Sequence, residues 1–329
     1  MQIEPKTQSP RLPKPVRITE QVWPEGTVPV VSIFCITYNH EKFIRDAIEG
    51  FLMQETTFPV EIFIHDDAST DGTARIVKQY AERYPRLFWT VLQTENQWSK
   101  GNANILLTYL AQQPGQFIAM CEGDDYWTCQ HKLQNQLMVF QDHAHILMCG
   151  APCQVVDSET KHKTEISPLP CTDAQFIKAA NYFPGCSTSP WIHTCTRLIP
   201  KYALVGIPEE FMIDTLMLHW LVTKYPNHFI AYIPEIAAAY RLHEHGFWSA
   251  MDTKRKSVAL ADIYSKAATL HSGKKKLMLL KKTLESLDLI RKDSSLSIFR
   301  RTPFVLKYWK VQLAVNRLLR QIKRDSKAY

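Results

Sequence analysis

Val60-Glu61-Ile62-Phe63-Ile64-His65-Asp66-Asp67-Ala68-Ser69-Thr70-Asp71-Gly72-Thr73 is an apolar run that ends abruptly in carboxylates and hydroxyls. Its first part, Val60–His65, has apolar residues on both faces and reads as a strand buried in a parallel sheet. From Ser69 to Tyr84 the pattern turns helical, with Asp71 and Thr73 near the start as capping candidates. A strand that passes into a helix through an acidic loop is half of a βαβ unit.

The same pattern repeats on both sides. Upstream, Val30–Ile36 reads as a strand, Thr37-Tyr38-Asn39-His40 as a loop, and Glu41–Gln54 as a helix with Phe43, Ile44, Ala47, Ile48, Phe51 and Leu52 at helical spacing. Downstream come a strand at Leu87–Leu92, a helix at Asn102–Gln112, and a strand at Phe117–Cys121 that ends in Glu122-Gly123-Asp124-Asp125. This alternation predicts an α/β fold with right-handed crossovers and a mostly parallel sheet flanked by helices. Ligands of such sheets sit beyond the carboxyl ends of the strands, where both acidic stretches fall. Residues 126–250 are less regular. Helices are expected at Lys132–Gln141 and Met212–Thr223, and strands at Ile146–Cys149 and His228–Ile233.

The flanks differ from this body. Residues 1–28 carry Pro5, Pro10, Pro13, Pro15 and Pro24 and read as an extended arm. After Ser249 the chain turns helical and basic. Net charge is +7 over 329 residues, but the balance is uneven. From Lys254 onward twenty Lys and Arg face five Asp and Glu, a net of +15, which leaves −8 for the residues before it. A basic tail on an acidic body suits an anionic surface, whether membrane, nucleic acid or an acidic partner, whereas the acidic body argues against a large nucleic-acid interface.

Composition is that of a globular domain, with 45% hydrophobic and 22% charged residues. Eight cysteines include no Cys-x-x-Cys pair and no zinc spacing, so reduced thiols are expected. No apolar run approaches the ~20 residues that span a bilayer. The polar N-terminal stretch has no secretory character, so the expected location is the cytosol, peripheral on the inner face of the membrane.

The loop 65–73 has neither GxGxxG nor GxxxxGK[ST]. It offers carboxylates, which suit ribose hydroxyls, a base N–H or a divalent cation. Asp67-x-Ser69-x-Asp71-Gly72 mimics the opening of a calcium loop, but Lys78 stands where that loop needs a bidentate Glu. Taken alone, the motif leaves a plain helix-capping loop open. Glu122, Asp124 and Asp125 repel one another unless something cationic neutralises them, and their hard oxygens suit magnesium or manganese. Gly123 allows a close backbone approach.

Three motifs in order, each at a strand end, resemble a family-2 glycosyltransferase of the GT-A fold. They are Thr37-Tyr38-Asn39, Asp66-Asp67-x-Ser69-x-Asp71-Gly72-Thr73, and Glu122-Gly123-Asp124-Asp125 in the place of the family's DxD motif. The resemblance covers about 30–140 well and 185–250 more loosely. It implies a metal-dependent, inverting transfer of a sugar from a nucleotide-diphosphate donor to a hydroxyl of a glycan or lipid-linked acceptor, in polysaccharide or lipopolysaccharide synthesis. Thr37, Tyr38, Asn39, Asp66, Asp67 and Glu122 would line the nucleotide pocket, and Asp124 would hold the divalent cation. Glu122 is one methylene longer than the family's first Asp. An inverting transfer needs a base near the acceptor hydroxyl. Pro208-Glu209-Glu210-Phe211-Met212-Ile213-Asp214 offers Asp214, with Glu210 as runner-up; a plain helix cap is the other reading of Asp214. Tyr240-Arg241-Leu242-His243-Glu244-His245-Gly246-Phe247-Trp248-Ser249 resembles the family's basic segment. It places Arg241, His243 and Trp248, together with Asp125, at the donor diphosphate, with His243 as a further metal ligand. His245 ranks lower.

The expected organisation is an arm at 1–28, a GT-A domain at 29–250 with a nucleotide-binding half at 29–127 and an acceptor half at 128–250, and a basic helical region at 251–329. Within Phe299–Lys323, Phe304, Tyr308, Trp309 and Leu313 alternate with Lys307, Lys310, Arg317 and Arg320, as in a helix that lies in an anionic bilayer interface. Packing on the body is the other reading, and Pro303 is expected to start or break this helix. Apart from the weaker idea that the tail binds nucleic acid, two functional alternatives stand beside the transferase. One is a non-catalytic nucleotide-sugar-binding scaffold at the membrane. The other, a nucleotidyltransferase, favours a Gly-rich basic first loop that Thr37-Tyr38-Asn39-His40 lacks.

Overall fold

The computed structural model describes residues 10–102, 104–160, 162–168, 170–184, 189–211, 214–292 and 298–325. The chain divides into two units. The described residues of the first fall in Met1–Met212 and Tyr225–Leu242, and those of the second in Ile213–Lys224 and His243–Tyr329.

The first unit begins with β1 (Val16–Arg17), β2 (Val31–Thr37), α1 (Ile44–Leu52), β3 (Glu55–Thr56), β4 (Val60–Asp66), α2 (Thr73–Arg83), β5 (Phe88–Leu92), α3 (Asn104–Gln112) and β6 (Phe117–Glu122). It continues through β7 (Tyr126–Trp127), α4 (Lys132–Asp142), β8 (Ile146–Gly150), β9 (Cys153–Asp157), β10 (Lys163–Ser167), β11 (Gln175–Lys178), β12 (Leu198–Pro200) and α5 (Lys201–Leu204). After α6 (Asp214–Lys224), which belongs to the second unit, β13 (Phe229–Tyr232) and β14 (Ala238–Leu242) complete it.

Among the described residues the large sheet has eight strands in the order β11-β13-β8-β12-β6-β2-β4-β5. The β6-β2-β4-β5 half is parallel throughout, as the alternation of elements predicts. β13 and β8 are parallel too, while β12 and β11 run antiparallel to their neighbours. A second sheet, β10-β9-β14-β7, carries the end of the acidic loop on β7.

Burial on both faces explains the unbroken apolar strands. Ile33 and Cys35 of β2 and Ile62 and Ile64 of β4 join Ile44, Ile48 and Phe51 of α1 and Ile76 and Val77 of α2 in one cluster. On the opposite face Phe34 stacks on Phe63 at 4.9 Å, and Phe63 meets Tyr109 of α3 at 5.6 Å. Each fully buried Ile or Phe contributes ~1.5–3 kcal/mol, so this double layer holds the strand ends in fixed register.

Three details differ from the sequence reading. α2 starts at Thr73, later than Ser69. The Asp66 carboxylate accepts from the Ser69 N–H at 3.0 Å, Asn39 Oδ1 accepts from the Thr70 N–H at 2.8 Å, and Ala68 takes a left-handed φ of 62°. These partners hold 67–72 as a loop. Residues 10–28 do not stand away from the domain. β1 pairs with β3, Ile18 is buried, and Gln21 Nε2 donates to the Val16 and Thr56 carbonyls. Pro303 lies inside a helix instead of starting one. Met212 and Cys186, and the side chains of Phe299 and Lys323, lie outside the described residues.

The second unit holds α6 with α7 (Thr253–Ala267), α8 (Gly273–Arg291) and α9 (Ile298–Asp325). Asp252 caps α7 by accepting from the Arg255 N–H at 2.8 Å. Ala261, Ile263, Leu279, Leu287, Val311 and Val315 are buried. Among the described residues no helix is long and apolar enough to cross a membrane.

Candidate functional site

Strand register brings the three motifs together. Thr37, the last residue of β2, lies opposite Asp66 on β4, and Ile36 lies opposite Glu122 on β6. The tip of β2 thus stands between two acidic loops about 10 Å apart, two strand spacings. Both loops bond to it: the Asp67 N–H donates to Thr37 O at 3.0 Å, and the Gly123 N–H to Ile36 O at 2.9 Å. A Cβ on Gly123 would stand 2.7 Å from Thr37 Oγ1 and 2.8 Å from Thr37 Cβ. Glycine is required there by contact, since β2 and the acidic loop leave no room for a methyl group.

The loop after β4 is cross-tied to the loop after β2. Asn39, at φ 54°, donates its N–H to Ser69 Oγ at 2.8 Å. The Asp71 carboxylate accepts from the Glu41 and Thr73 N–H groups, each at 3.0 Å. Burial alone would raise the Asp71 carboxyl, but the bonds from Thr73 and Glu41 outweigh it and hold it below the usual range. Asp66 is buried and pushed up by burial despite its bonds from Ser69.

Asp67 has a different task from its neighbour. Its Oδ1 accepts from the Gln97 N–H at 2.7 Å, its Oδ2 from the Trp98 N–H at 3.0 Å, and its carbonyl from Asn96 Nδ2 at 3.1 Å. The segment after β5 is therefore fastened to the strand end by one carboxylate. Tyr38, on the loop after β2, and Trp98, on the segment after β5, are large aromatic side chains 44% and 50% exposed.

On the other side of β2, Asp125 is buried and its Oδ1 accepts from the Arg241 N–H at 2.8 Å. Burial foremost, then the charges of Asp124 and Glu122, push its carboxyl well above the carboxylate range. Asp124 remains partly exposed, with Oδ2 3.6 Å from His40 Nε2. Arg241 is spent on this loop: its guanidinium donates to Asp124 O at 2.9 Å and pairs with Asp46. It also lies 4.2 Å from the Tyr126 ring centroid and 5.2 Å from that of Phe43. Beneath the loop, Trp127 Nε1 donates to Cys195 O at 2.7 Å, and buried Lys132 sits 4.1 Å from the Trp127 ring centroid. Burial pushes the Lys132 ammonium down to about 8. The sequence reading missed His40, Asp46, Trp98 and Lys132. Of these only His40, beside the Thr37–Asn39 motif, carried a local signal.

Thr37, Tyr38, Asn39, Asp66, Asp67, Glu122, Asp124, Asp125 and Arg241 thus all belong to the first unit. Glu210 is in that unit as well, exposed on a short 3₁₀ turn at Glu209–Phe211. Asp214, His243 and Trp248 belong to the second unit. Asp214 opens α6. His243 begins a compact turn in which its carbonyl accepts from the Gly246 N–H at 3.1 Å and from Ser249 Oγ at 2.6 Å, with Trp248 between.

Among the described residues no three His, Cys, Asp or Glu side chains gather closely enough to enclose a cation. The donor set nevertheless fits one class. A partly exposed carboxylate at a strand end, with hard oxygens and a neighbouring Glu122, suits a magnesium or manganese ion that takes its remaining ligands from substrate phosphates and water.

Comparison with known proteins shows the family. The family model "Glycosyl transferase family 2" matches residues 32–199. The uncharacterized protein Rv1520 of Mycobacterium tuberculosis is 36% identical over 242 residues, 74% of this chain and 67% of that one. The structure of S. aureus TarS 1-349 with UDP-GlcNAc superposes with a TM-score of 0.55 at 19% identity, covering 78% of this chain and 71% of that one. Mannosyltransferase PcManGT from Pyrobaculum calidifontis, in complex with GDP-Man and Mn2+, gives 0.51 at 16% identity, covering 92% and 89%. At these identities the two structures speak for the fold, which is of the glycosyltransferase type.

Proposed function

Since the chain belongs to glycosyl transferase family 2, and is a glycosyltransferase, we propose that it moves a sugar with inversion from a nucleotide-diphosphate donor to a hydroxyl of a glycan or lipid-linked acceptor. The observation that supports this best is the register at the tip of β2, which puts Thr37 opposite Asp66 on one side and Ile36 opposite Glu122 on the other. A nucleoside laid across the end of β2 meets Thr37, Tyr38, Asn39, Asp66 and Asp67 on one side and Glu122 on the other. The diphosphate then lies toward Asp124 and Asp125.

Charge supports the same placement. Three carboxylates would repel a diphosphate, but burial and its neighbours favour the proton on Asp125. A proton on Asp125 would leave the loop with less negative charge toward the donor. Asp124, alone or with Glu122, would hold a divalent cation, and a bound cation would offset charge that develops on the leaving nucleoside diphosphate. Arg241 keeps the loop in shape and adds positive charge behind it. In this reading Asp214 takes the acceptor proton, with Glu210 the second choice, and His243 and Trp248 contribute to the donor end of the reaction. TarS and PcManGT were captured with UDP-GlcNAc and GDP-Man, which makes UDP- and GDP-sugars the first donors to try.

A lipid-linked acceptor fits the basic helices of the second unit, which suit an anionic membrane surface. The proposed role is synthesis of a surface polysaccharide or lipopolysaccharide on the inner face of that membrane. A panel of UDP-, dTDP- and GDP-sugars, assayed for thermal stabilisation and slow hydrolysis with and without manganese, tests the reading. One donor class should raise the melting temperature and be hydrolysed faster with the ion. Indifference to every donor would overturn it.

A further inference from the structure

α9 has two contrasting sides. Val311 and Val315 are buried on one. The other shows Leu306, Trp309 and Leu313, exposed by 57%, 55% and 57%, and further along Arg317, Arg320 and Arg324, exposed as well. At 3.6 residues per turn, Leu306, Leu313, Arg317 and Arg324 fall within about 20° of one line, and Trp309 and Arg320 lie about 40–60° to one side of it. No Asp or Glu occurs between Asp293 and Asp325. A helix that only solvates its outer face mixes both charge signs and hides its leucines. This arc instead carries exposed apolar side chains along its first half, with exposed Lys310 at their edge, followed by a cationic half.

Each candidate occupant makes a different demand on the arc. Packed on a second copy with helices parallel, Arg317, Arg320 and Arg324 would meet themselves; with helices antiparallel, they would meet Leu306 and Leu313. Nucleic acid would satisfy the arginines and leave Leu306, Trp309 and Leu313 in water. An anionic bilayer satisfies both halves. Its acyl boundary takes the apolar side chains, the headgroup region suits an indole, and lipid phosphates pair with guanidinium groups.

We propose that the outward face of α9 docks on an anionic phospholipid bilayer, with Leu306, Trp309 and Leu313 entering the acyl boundary and Arg317, Arg320 and Arg324 holding lipid phosphates. The location rests on the membrane-surface part of the proposed function; the two-sided face of α9 does not depend on the transfer chemistry. The face names the partner, and it orients the helix with its axis in the plane of the membrane.

The test is co-sedimentation of the full chain with vesicles of phosphatidylcholine alone and of phosphatidylcholine doped with phosphatidylglycerol. The protein should partition onto the anionic vesicles and be released by salt. Replacing Arg317, Arg320 and Arg324 together by Gln should weaken that partition about a hundredfold at low salt, from roughly fivefold per charge. Replacing Leu306, Trp309 and Leu313 together by Ser should weaken it by at least about tenfold and remove the salt-resistant fraction. Both variants change exposed side chains and should keep the melting temperature. They should also keep donor hydrolysis in lipid-free solution, which separates loss of docking from failure of the transferase reading. Equal binding to both vesicle types, or binding that neither variant weakens, overturns the proposal. So does a concentration-dependent dimer that both variants abolish, because it would assign the face to a second copy.

Discussion

The Asp67 carboxylate holds the backbone of Trp98, accepting its N–H on Oδ2 at 3.0 Å while Oδ1 takes the Gln97 N–H at 2.7 Å. Resemblance alone places this aspartate in the nucleoside pocket. The structure adds that it also fixes the segment carrying an exposed tryptophan. Each oxygen still has a second lone pair for a ligand. Asp67→Asn turns one acceptor into a donor aimed at another donor, which costs about 1–3 kcal/mol. Amide exchange at Gln97 and Trp98 should speed up by about tenfold or more, and donor affinity should fall by a similar factor. Unchanged exchange at both amides would remove Asp67 as the anchor of this segment.

Gly123→Ala tests the closeness of β2 and the acidic loop. The new methyl would lie 2.7 Å from Thr37 Oγ1 and 3.0 Å from Ile44 Cδ1. Overpacking of this kind costs about 1–3 kcal/mol and shifts the backbone that carries Asp124. Denaturant melts should show that loss, and donor turnover should fall further than stability does. A variant as stable and as active as the parent would show that the loop is not held against Thr37.

Arg241 separates a role in holding the loop from one at the diphosphate. Arg241→Lys keeps the charge but loses the forked bonding to Asp124 O and Asp46 and the planar stack on Tyr126. The expected outcome is a fall in kcat of about thirtyfold, near 2 kcal/mol, with weaker manganese activation and a donor KM close to the parent's. A raised donor KM at unchanged metal activation would mean instead that the guanidinium binds the diphosphate directly.

The second unit should weaken in mild acid. His219 Nδ1 and His271 Nε2 lie 3.0 Å apart. Burial first, then His271, Lys275 and Lys282, lowers His219 to about 3, and burial with Lys275 lowers His271 to about 4. Their folded values lie below the unfolded value of about 6.5. The stability they lend is therefore present above about pH 6.5 and is lost as the pH falls toward 4, with up to two protons taken up on unfolding. Urea midpoints measured from pH 7 to pH 4.5 should decline, and His271→Phe should flatten the slope. A parent whose midpoint stays level over that range would contradict the pairing.

The parallel half of the sheet was legible because its strands are buried on both faces and so read as unbroken apolar runs, as in Val31–Thr37 and Val60–Asp66. The two acidic loops were legible for the same reason, since a carboxylate directly after such a run has to sit at a strand end. What could not be read depends on distant partners. Ser69 and Thr70 look like the start of a helix until Asp66 and Asn39 are seen to hold them. β7 has two residues and pairs with Ala238 and Ala239, which carry almost no strand signal. Arg241 suits a phosphate by its chemistry alone; only the fold reveals that Asp46, 195 residues earlier, lies against it.

The most direct test is manganese-stimulated donor hydrolysis by the parent and by Asp124→Ala, using whichever nucleotide-sugar stabilises the parent against heat. The account predicts that the variant still gains stability from the nucleotide, through Thr37–Asn39 and Asp67, while its hydrolysis loses all response to manganese. Undiminished manganese stimulation in Asp124→Ala would contradict the assignment of this strand end as the place where cation and sugar diphosphate meet.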